Sequence, residues 1–133
     1  MKQLSDYKKC LIIEDEKDIR EMYVTIMQSA GYDVRSASNG ENGVLIASEF
    51  KPDFLMLDLM LSLRGMDGFD VIETLEGDIE KYGDIAIMII TNNSNEFEVK
   101  KAYKLKSVRG YLLKSDLTPE QVLYEVRSLL VEE

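Results

Sequence analysis

The chain has 133 residues, and its 16 Lys and Arg residues against 25 Asp and Glu residues give a net charge of −9. This length is typical of one domain, and the 45% hydrophobic content is that of a globular protein. The absence of histidine and the single cysteine exclude Ser-His-Asp hydrolases, H-E-x-x-H metalloproteases, intrachain disulfides and Cys-only zinc sites.

The excess of acidic residues argues against a nucleic-acid binder, since phosphate backbones attract basic surfaces. The chain has no stretch of roughly 18 apolar residues that could span a membrane, and it does not begin with an apolar signal segment. We therefore expect a cytoplasmic protein with one domain over residues 1–133, a core over about 8–131, and no output domain.

Short apolar runs of strand length recur along the chain, and the middle ones are continuous rather than alternating. Continuous apolar runs are typical of strands that are covered on both faces, as in a parallel sheet. The five predicted strands are Cys10–Ile13, Tyr32–Ala37, Phe54–Leu57, Ile85–Ile90 and Gly110–Leu113.

Helical patterns separate these runs, with apolar residues at three- and four-residue steps. The last one begins with a strong start signal, because Thr118 can cap the helix, Pro119 suits its first position and Gln121 completes a capping box. The other four predicted helices are Ile19–Ala30 (with Met22 on its apolar face), Asn39–Phe50, Phe69–Ile79 closed by Gly83, and Glu96–Lys106. The alternation predicts an α/β fold with a doubly wound, five-stranded parallel sheet.

Polar residues follow the predicted strands, where ligands bind in open α/β sheets. Glu14 and Asp15 follow the first strand, Asp58 the third, Thr91 the fourth and Lys114 the fifth. Carboxylates brought together in this way raise one another's pKa unless a cation compensates them, and Mg²⁺ prefers such oxygen ligands. A carboxylate beside Mg²⁺, a lysine and a hydroxyl can attack phosphorus. Each residue alone is more often a turn former or a helix cap, but the set favours phosphoryl chemistry.

The chain resembles a response-regulator receiver domain of the single-domain chemotaxis-regulator type, which is a flavodoxin-like (βα)5 fold with three layers. The resemblance covers nearly the whole chain. It rests on Glu14–Glu16, Asp58, Thr91 and Gly110–Lys114, with Asn39–Glu41, Pro52–Asp53 and Asp67–Phe69 as further matches.

The resemblance implies a site for Mg²⁺ (or Mn²⁺). Asp15, Asp58 and the backbone carbonyl of Met60 would bind the metal directly, and Glu14 would bind it through a water molecule. The resemblance also implies that Asp58 accepts a phosphoryl group and that Lys114 pairs with it. Thr91 and Tyr111 would then act as the switch that responds to phosphorylation, although Tyr111 could equally be an ordinary half-buried aromatic residue.

The resemblance implies a sensor histidine kinase or a phosphotransfer protein as phosphodonor, and an output partner that the sequence does not identify. A homodimer through the face of the fourth helix, fifth strand and fifth helix is also typical of the family. No enzyme activity is implied beyond self-phosphorylation from a phosphodonor and slow autodephosphorylation. The fourth helix and the start of the fifth strand carry Lys100, Lys101, Lys104, Lys106 and Arg109, either a solvated helix face or a docking patch for an acidic partner.

Three features depart from the family pattern. The loop over residues 59–67 is about two residues longer than usual and has Ser62 where proline is common. Ser115 replaces the proline that usually follows the lysine, so a cis peptide bond is not expected there. Asn92 replaces a small residue after Thr91 and could narrow access to the phosphoryl group.

Two alternative functions follow. A pseudo-receiver would bind partners without phosphorylation. A small-molecule α/β protein is the other alternative, although the chain has neither G-x-x-x-x-G-K-[ST] nor G-x-G-x-x-G to bind a phosphate group.

Overall fold

The computed structural model describes residues 2–61 and 65–131. In these residues, five parallel strands form one sheet in the order β2-β1-β3-β4-β5. The strands are β1 (Lys9–Ile13), β2 (Asp33–Ala37), β3 (Phe54–Leu57), β4 (Ala86–Thr91) and β5 (Val108–Leu113). The predicted doubly wound α/β fold is confirmed.

The helices lie on both faces of the sheet, and short 3₁₀ turns at Leu4–Asp6 and Lys114–Asp116 complete the described elements. The helices are α1 (Lys17–Ser29), α2 (Gly40–Phe50), α3 (Gly68–Glu76), α4 (Ile79–Tyr82), α5 (Glu96–Tyr103) and α6 (Pro119–Leu130). Within the described ranges, no helix has the length and apolar character needed to cross a membrane.

Side chains of the central strands alternate between two apolar cores. Leu11 and Ile13 of β1 pack in the core that includes α2 and α3, whereas Cys10 and Ile12 pack in the core that includes α1 and α6. All residues of β3 and β4 are buried, as expected for strands covered on both faces. The outer strands β2 and β5 are partly exposed.

The predicted third helix, which ran from Phe69 to Ile79, is wrong because the chain breaks it in two. The N–H of Gly77 donates to the Glu73 carbonyl and ends α3. The side chain of Asp78 then accepts from the N–H of Lys81 at 3.1 Å and starts α4. Local capping at Gly77 and Asp78 therefore outweighs the helical spacing of the apolar residues.

Other boundaries differ from the prediction by a few residues. The helix predicted to reach Lys106 ends at Tyr103. The N–H of Ile87 on β4 donates to the Ser107 carbonyl, so the chain before β5 joins the sheet and does not continue the helix. Thr91 is the last residue of β4 rather than the residue after it. Met22, predicted on the apolar face of α1, is 43% exposed, whereas Tyr23 and Met27 provide the buried contacts.

Glycine at position 43 allows α2 to approach the end of β1. A Cβ atom at Gly43 would lie 2.2 Å from Cδ1 of the buried Ile13, the residue before Glu14. We expect Gly43→Ala to destabilise the protein by about 1 kcal/mol, since overpacking outweighs the gain in helix propensity. Chemical denaturation measures this loss, and Glu49→Ala on the exposed side of the same helix is the control. Equal stability of the two variants would contradict the tight α2–β1 contact.

Candidate functional site

The carboxyl ends of the parallel strands place the predicted polar residues at one edge of the sheet. Ile13, Leu57 and Ile89 are partners in register on β1, β3 and β4. Glu14 directly follows β1, and Asp58 directly follows β3. The N–H of Asp58 donates to the Ile13 carbonyl at 3.1 Å and so continues the hydrogen-bond ladder between these two strands.

Lys114 holds the two buried acids together. Its ammonium donates to Oδ2 of Asp58 at 2.7 Å and forms an ion pair with Oε1 of Glu14. The side chain of Lys114 is only 10% exposed, that of Asp58 is 6% exposed and that of Glu14 is 3% exposed. The three residues therefore form one largely dehydrated ion network.

Backbone N–H groups occupy the remaining carboxylate oxygens of the two buried acids. Oδ1 of Asp58 accepts from the N–H of Met60 at 3.0 Å, and Oε2 of Glu14 accepts from the N–H of Glu16 at 3.1 Å. In the part of the chain that the structure describes, no buried side-chain nitrogen or oxygen lacks a partner. The backbone N–H of Met60 therefore contacts Asp58, while the predicted role of the Met60 carbonyl in metal binding stays a prediction.

Burial and the ion pairs have opposite effects on the charges of this network. Burial raises the pKa of Glu14, and the hydrogen bonds from Lys114 and the Glu16 N–H only partly oppose this. Burial by itself would lower the pKa of Lys114, but the hydrogen bonds to Asp58 and Glu14 outweigh burial and raise that pKa. Lys114 therefore remains a cation at neutral pH.

The acidic residues fit a hard divalent cation. One carboxylate oxygen from each of Glu14, Asp15 and Asp58 lies within 4.8 Å of the others, and Asp15 is the exposed member. Oxygen ligands of this kind suit Mg²⁺, which retains several water molecules and so favours a site that is open on one side.

Arg20, which the sequence analysis missed, holds the acidic loop in place. Its guanidinium donates to the backbone carbonyl of Glu14 at 2.8 Å and to that of Asp15 at 3.4 Å. In the sequence, Arg20 is only a basic residue one turn into the helix that follows the acids. Basic residues are common at such positions on solvated helix faces, so the sequence does not single it out.

Asn93 connects the two predicted switch residues and was also missed. The hydroxyl of Thr91, which is fully buried, accepts from the N–H of Asn93 at 3.4 Å. The hydroxyl of Tyr111, a half-buried residue, donates to the carbonyl of Asn93. Thr91 and Tyr111 are therefore linked through one residue of the β4–α5 loop.

The departures from the family pattern have different structural outcomes. The backbone N–H of Ser115, which a proline would lack, donates to Oδ1 of Asn92 at 3.1 Å. The described residues contain no cis peptide bond. The far end of the lengthened loop is fixed by Glu41, which accepts from the N–H of Met66 at 3.0 Å. Ser62 lies outside the described residues.

Comparison with known proteins identifies the family. The family described as "Response regulator receiver domain" matches residues 10–126. The fold is that of chemotaxis protein CheY4 from Vibrio cholerae, with a TM-score of 0.80 at 23% identity over 92% of this chain and 98% of that one. The BeF3-activated N-terminal receiver domain of RstA from Klebsiella pneumoniae gives a TM-score of 0.79 at 22% identity, covering 94% of this chain and all of that one.

Curated relatives include longer proteins. The DNA-binding dual master transcriptional regulator RpaA of Synechocystis sp. is 34% identical over 92% of this chain and 48% of its own length. The probable transcriptional regulator ycf27 of Porphyridium aerugineum is 31% identical with the same coverage. The chain thus spans about half the length of the curated relatives it matches. It belongs to the response regulator receiver domain family of two-component systems, which confirms the predicted resemblance.

Removing the cation of the network should expose the cost of burying two acids side by side. We expect Lys114→Gln to lose about 3 kcal/mol of stability in metal-free buffer at neutral pH, because the two buried carboxyl groups lose the cation that compensates them. Denaturant unfolding measures the loss, with Lys104→Gln on the exposed surface as control. Added Mg²⁺ should restore more stability to Lys114→Gln than to the wild type. A loss no larger than that of the control would contradict this account.

Proposed function

We propose that this receiver domain is phosphorylated on Asp58 by a sensor histidine kinase or a phosphotransfer protein. The observation that carries the proposal is the Asp58 carboxylate at the sheet edge, held by the Lys114 ammonium and beside the carboxylates of Glu14 and Asp15. A carboxylate fixed by a cation and adjacent to a metal-binding set is suited to nucleophilic attack on phosphorus.

Phosphoryl transfer to Asp58 consumes only the phosphohistidine of the donor protein. An oxygen of Asp58 attacks the phosphorus of a phosphohistidine and forms a P–O bond while the P–N bond breaks. The electron pair stays on the histidine nitrogen, which takes up a proton. Lys114, already in contact with Oδ2 of Asp58, would pair with the transferred phosphoryl oxygens and neutralise their charge.

Asp15, Asp58 and the Met60 carbonyl would hold Mg²⁺ (or Mn²⁺), with Glu14 acting through a water molecule. When bound, the ion would neutralise negative charge on the phosphoryl oxygens. The acids of this chain provide the ligands, and Arg20 fixes the backbone of two of them by its hydrogen bonds to the carbonyls of Glu14 and Asp15.

The loop after β4 offers a route from Asp58 to the protein surface. A phosphoryl group adds up to about two negative charges and three acceptor oxygens, which favours movement of the Thr91 hydroxyl toward it. Such a movement would displace Asn93, whose carbonyl accepts from Tyr111. The change at Tyr111 would then alter the face of α5, β5 and α6, where an output protein or a second copy of the chain would bind. On this proposal the domain is a switch and not an enzyme, apart from its own phosphorylation and slow dephosphorylation.

A phosphorylation-independent pseudo-receiver is the second candidate. The observation that favours it is that Lys114 already compensates both buried acids, so the site is satisfied without metal or phosphate. Phosphorylation of the wild-type chain distinguishes the two candidates, because a pseudo-receiver would accept no phosphoryl group.

Asp58 should be the residue that becomes phosphorylated. With Mg²⁺ and acetyl phosphate, we expect a mass increase of one phosphoryl group on the wild type and none on Asp58→Asn. Asp18→Asn, an exposed acid on α1, should behave as the wild type. Intact mass spectrometry measures the adduct, and phosphotransfer from a panel of phosphorylated kinases tests for poor reactivity of acetyl phosphate. Absence of an adduct from every donor, or an adduct on Asp58→Asn, would refute the assignment.

Metal binding should depend on Asp15. We expect Mg²⁺ to raise the Tm of the wild type, since a ligand that binds only the folded state stabilises it. The shift should be much smaller for Asp15→Asn and unchanged for Glu16→Gln, the neighbouring acid outside the carboxylate cluster. Differential scanning fluorimetry across a Mg²⁺ titration gives both values. Equal shifts in the two variants would remove Asp15 from the metal site.

A further inference from the structure

The loop that follows Asp58 begins with one exposed residue between two buried ones. Leu59 and Leu61 are each only 6% exposed and pack in the core that includes α2 and α3, whereas Met60 is 59% exposed. The N–H of Gly68 donates to the Leu59 carbonyl at 3.2 Å, so the start of α3 is tied to the start of the loop. The backbone at Met60 is therefore positioned by the packing of its two neighbours.

The far end of the same loop lies against the first turn of α2. Oε2 of Glu41 accepts from the N–H of Met66 at 3.0 Å, and a Cβ atom at Gly65 would clash with that same oxygen. On the other side of the contact, a Cβ atom at Gly40 would lie 2.9 Å from Cβ of Met66. Glycine at both positions therefore allows α2 and the loop to approach closely.

Met66 connects this contact to the residues on either side of Met60. It is partly buried and packs against the apolar core that contains Leu59 and Leu61. The loop is about two residues longer than is usual in the family, and a longer loop loses more conformational entropy when it is ordered. The carboxylate of Glu41 provides a fixed point at the far end and so reduces the number of conformations open to the loop.

Glu41 is available for this contact. It is exposed in the first turn of α2, where the positive end of the helix dipole favours an acid. The salt bridges found among the described residues do not include it. It also lies outside the carboxylate cluster of Glu14, Asp15 and Asp58. Glu41 is therefore a support for the loop and not a member of the metal-binding set.

We infer that Glu41 is a positioning residue for the metal site, because it orders the loop whose Met60 carbonyl would bind Mg²⁺. The inference rests on the metal site of the proposed function, and it adds a residue that touches neither the metal nor the phosphoryl group. Replacing a residue that orients metal ligands typically weakens metal binding by about 10–100-fold. Glu41 acts through several intervening residues, so we expect an effect of about tenfold, at the lower end of this range.

Two substitutions of Glu41 separate its hydrogen bond from its charge. Glu41→Ala removes the acceptor of the Met66 N–H and should raise the Kd for Mg²⁺ about tenfold. Glu41→Gln loses the charge but keeps an oxygen that can accept from Met66, so its Kd should stay close to that of the wild type. Glu49→Ala, the same charge change on the exposed side of α2, is the control. The rise of Tm across a Mg²⁺ titration gives each Kd. In metal-free buffer, Glu41→Ala and Glu49→Ala should have similar Tm values.

A substitution on the loop side of the contact provides an independent test. The Cβ atom of Gly65→Ala would displace the Glu41 carboxylate, so this variant should weaken Mg²⁺ binding as Glu41→Ala does. Gly31→Ala is the matched control, because Gly31 has a φ of +99° against +87° for Gly65, and a Cβ atom at Gly31 would have no neighbour within 4 Å. Backbone strain is therefore similar in the two variants, and only Gly65→Ala should raise the Kd for Mg²⁺.

The outcomes distinguish this inference from the proposed function. If the wild type binds Mg²⁺ and Glu41→Ala binds it equally tightly, the role of Glu41 is overturned and the metal site stands. Equal weakening in Glu41→Ala and Glu41→Gln would also overturn it, since charge and not positioning would then explain the effect. A wild-type protein that does not bind Mg²⁺ would overturn the metal site of the proposed function and this inference with it.

Discussion

The ammonium of Lys114 lies between two carboxylates that the sheet buries side by side, and the geometry of the site depends on this contact. Two acids with little exposure repel each other and lose hydration, so a cation in hydrogen-bonding contact must offset that cost. β5 lies at the edge of the sheet, separated from β1 by β3 and β4, and the ammonium must reach across that distance. A long, flexible lysine side chain can do so, which a shorter residue could not.

The same network makes the site responsive to charge. One carboxylate oxygen of Asp58 accepts a hydrogen bond from Lys114, and the other accepts one from the Met60 N–H. A new charge on Asp58 would therefore have to rearrange both contacts. The β4–α5 loop lies beside these contacts, and Asn93 connects buried Thr91 with half-buried Tyr111 there. The Asn92–Ser115 hydrogen bond joins this loop to the segment that begins with Lys114.

The sequence predicted the sheet and the polar edge well, for identifiable physical reasons. A parallel strand buried on both faces needs a continuous apolar run, and such runs marked β3 and β4 to within a residue. The first polar residue after such a run must lie at the sheet edge, which places Glu14, Asp58 and Lys114 together. The break after Glu76 was missed because the apolar spacing from Phe69 to Ile79 suits a continuous helix. The capping by Asp78 became visible only in three dimensions.

The sequence by itself determined the fold class, the edge of the sheet where the acids meet and the residue types available for phosphoryl chemistry, because these follow from the order of apolar runs and polar ends. The tertiary structure decided which groups touch: Lys114 on both buried acids, Arg20 on the backbone of the acidic loop, and Asn93 between Thr91 and Tyr111. These pairings join residues far apart in the chain, and their energies depend on distance and burial, which one-dimensional spacing does not encode.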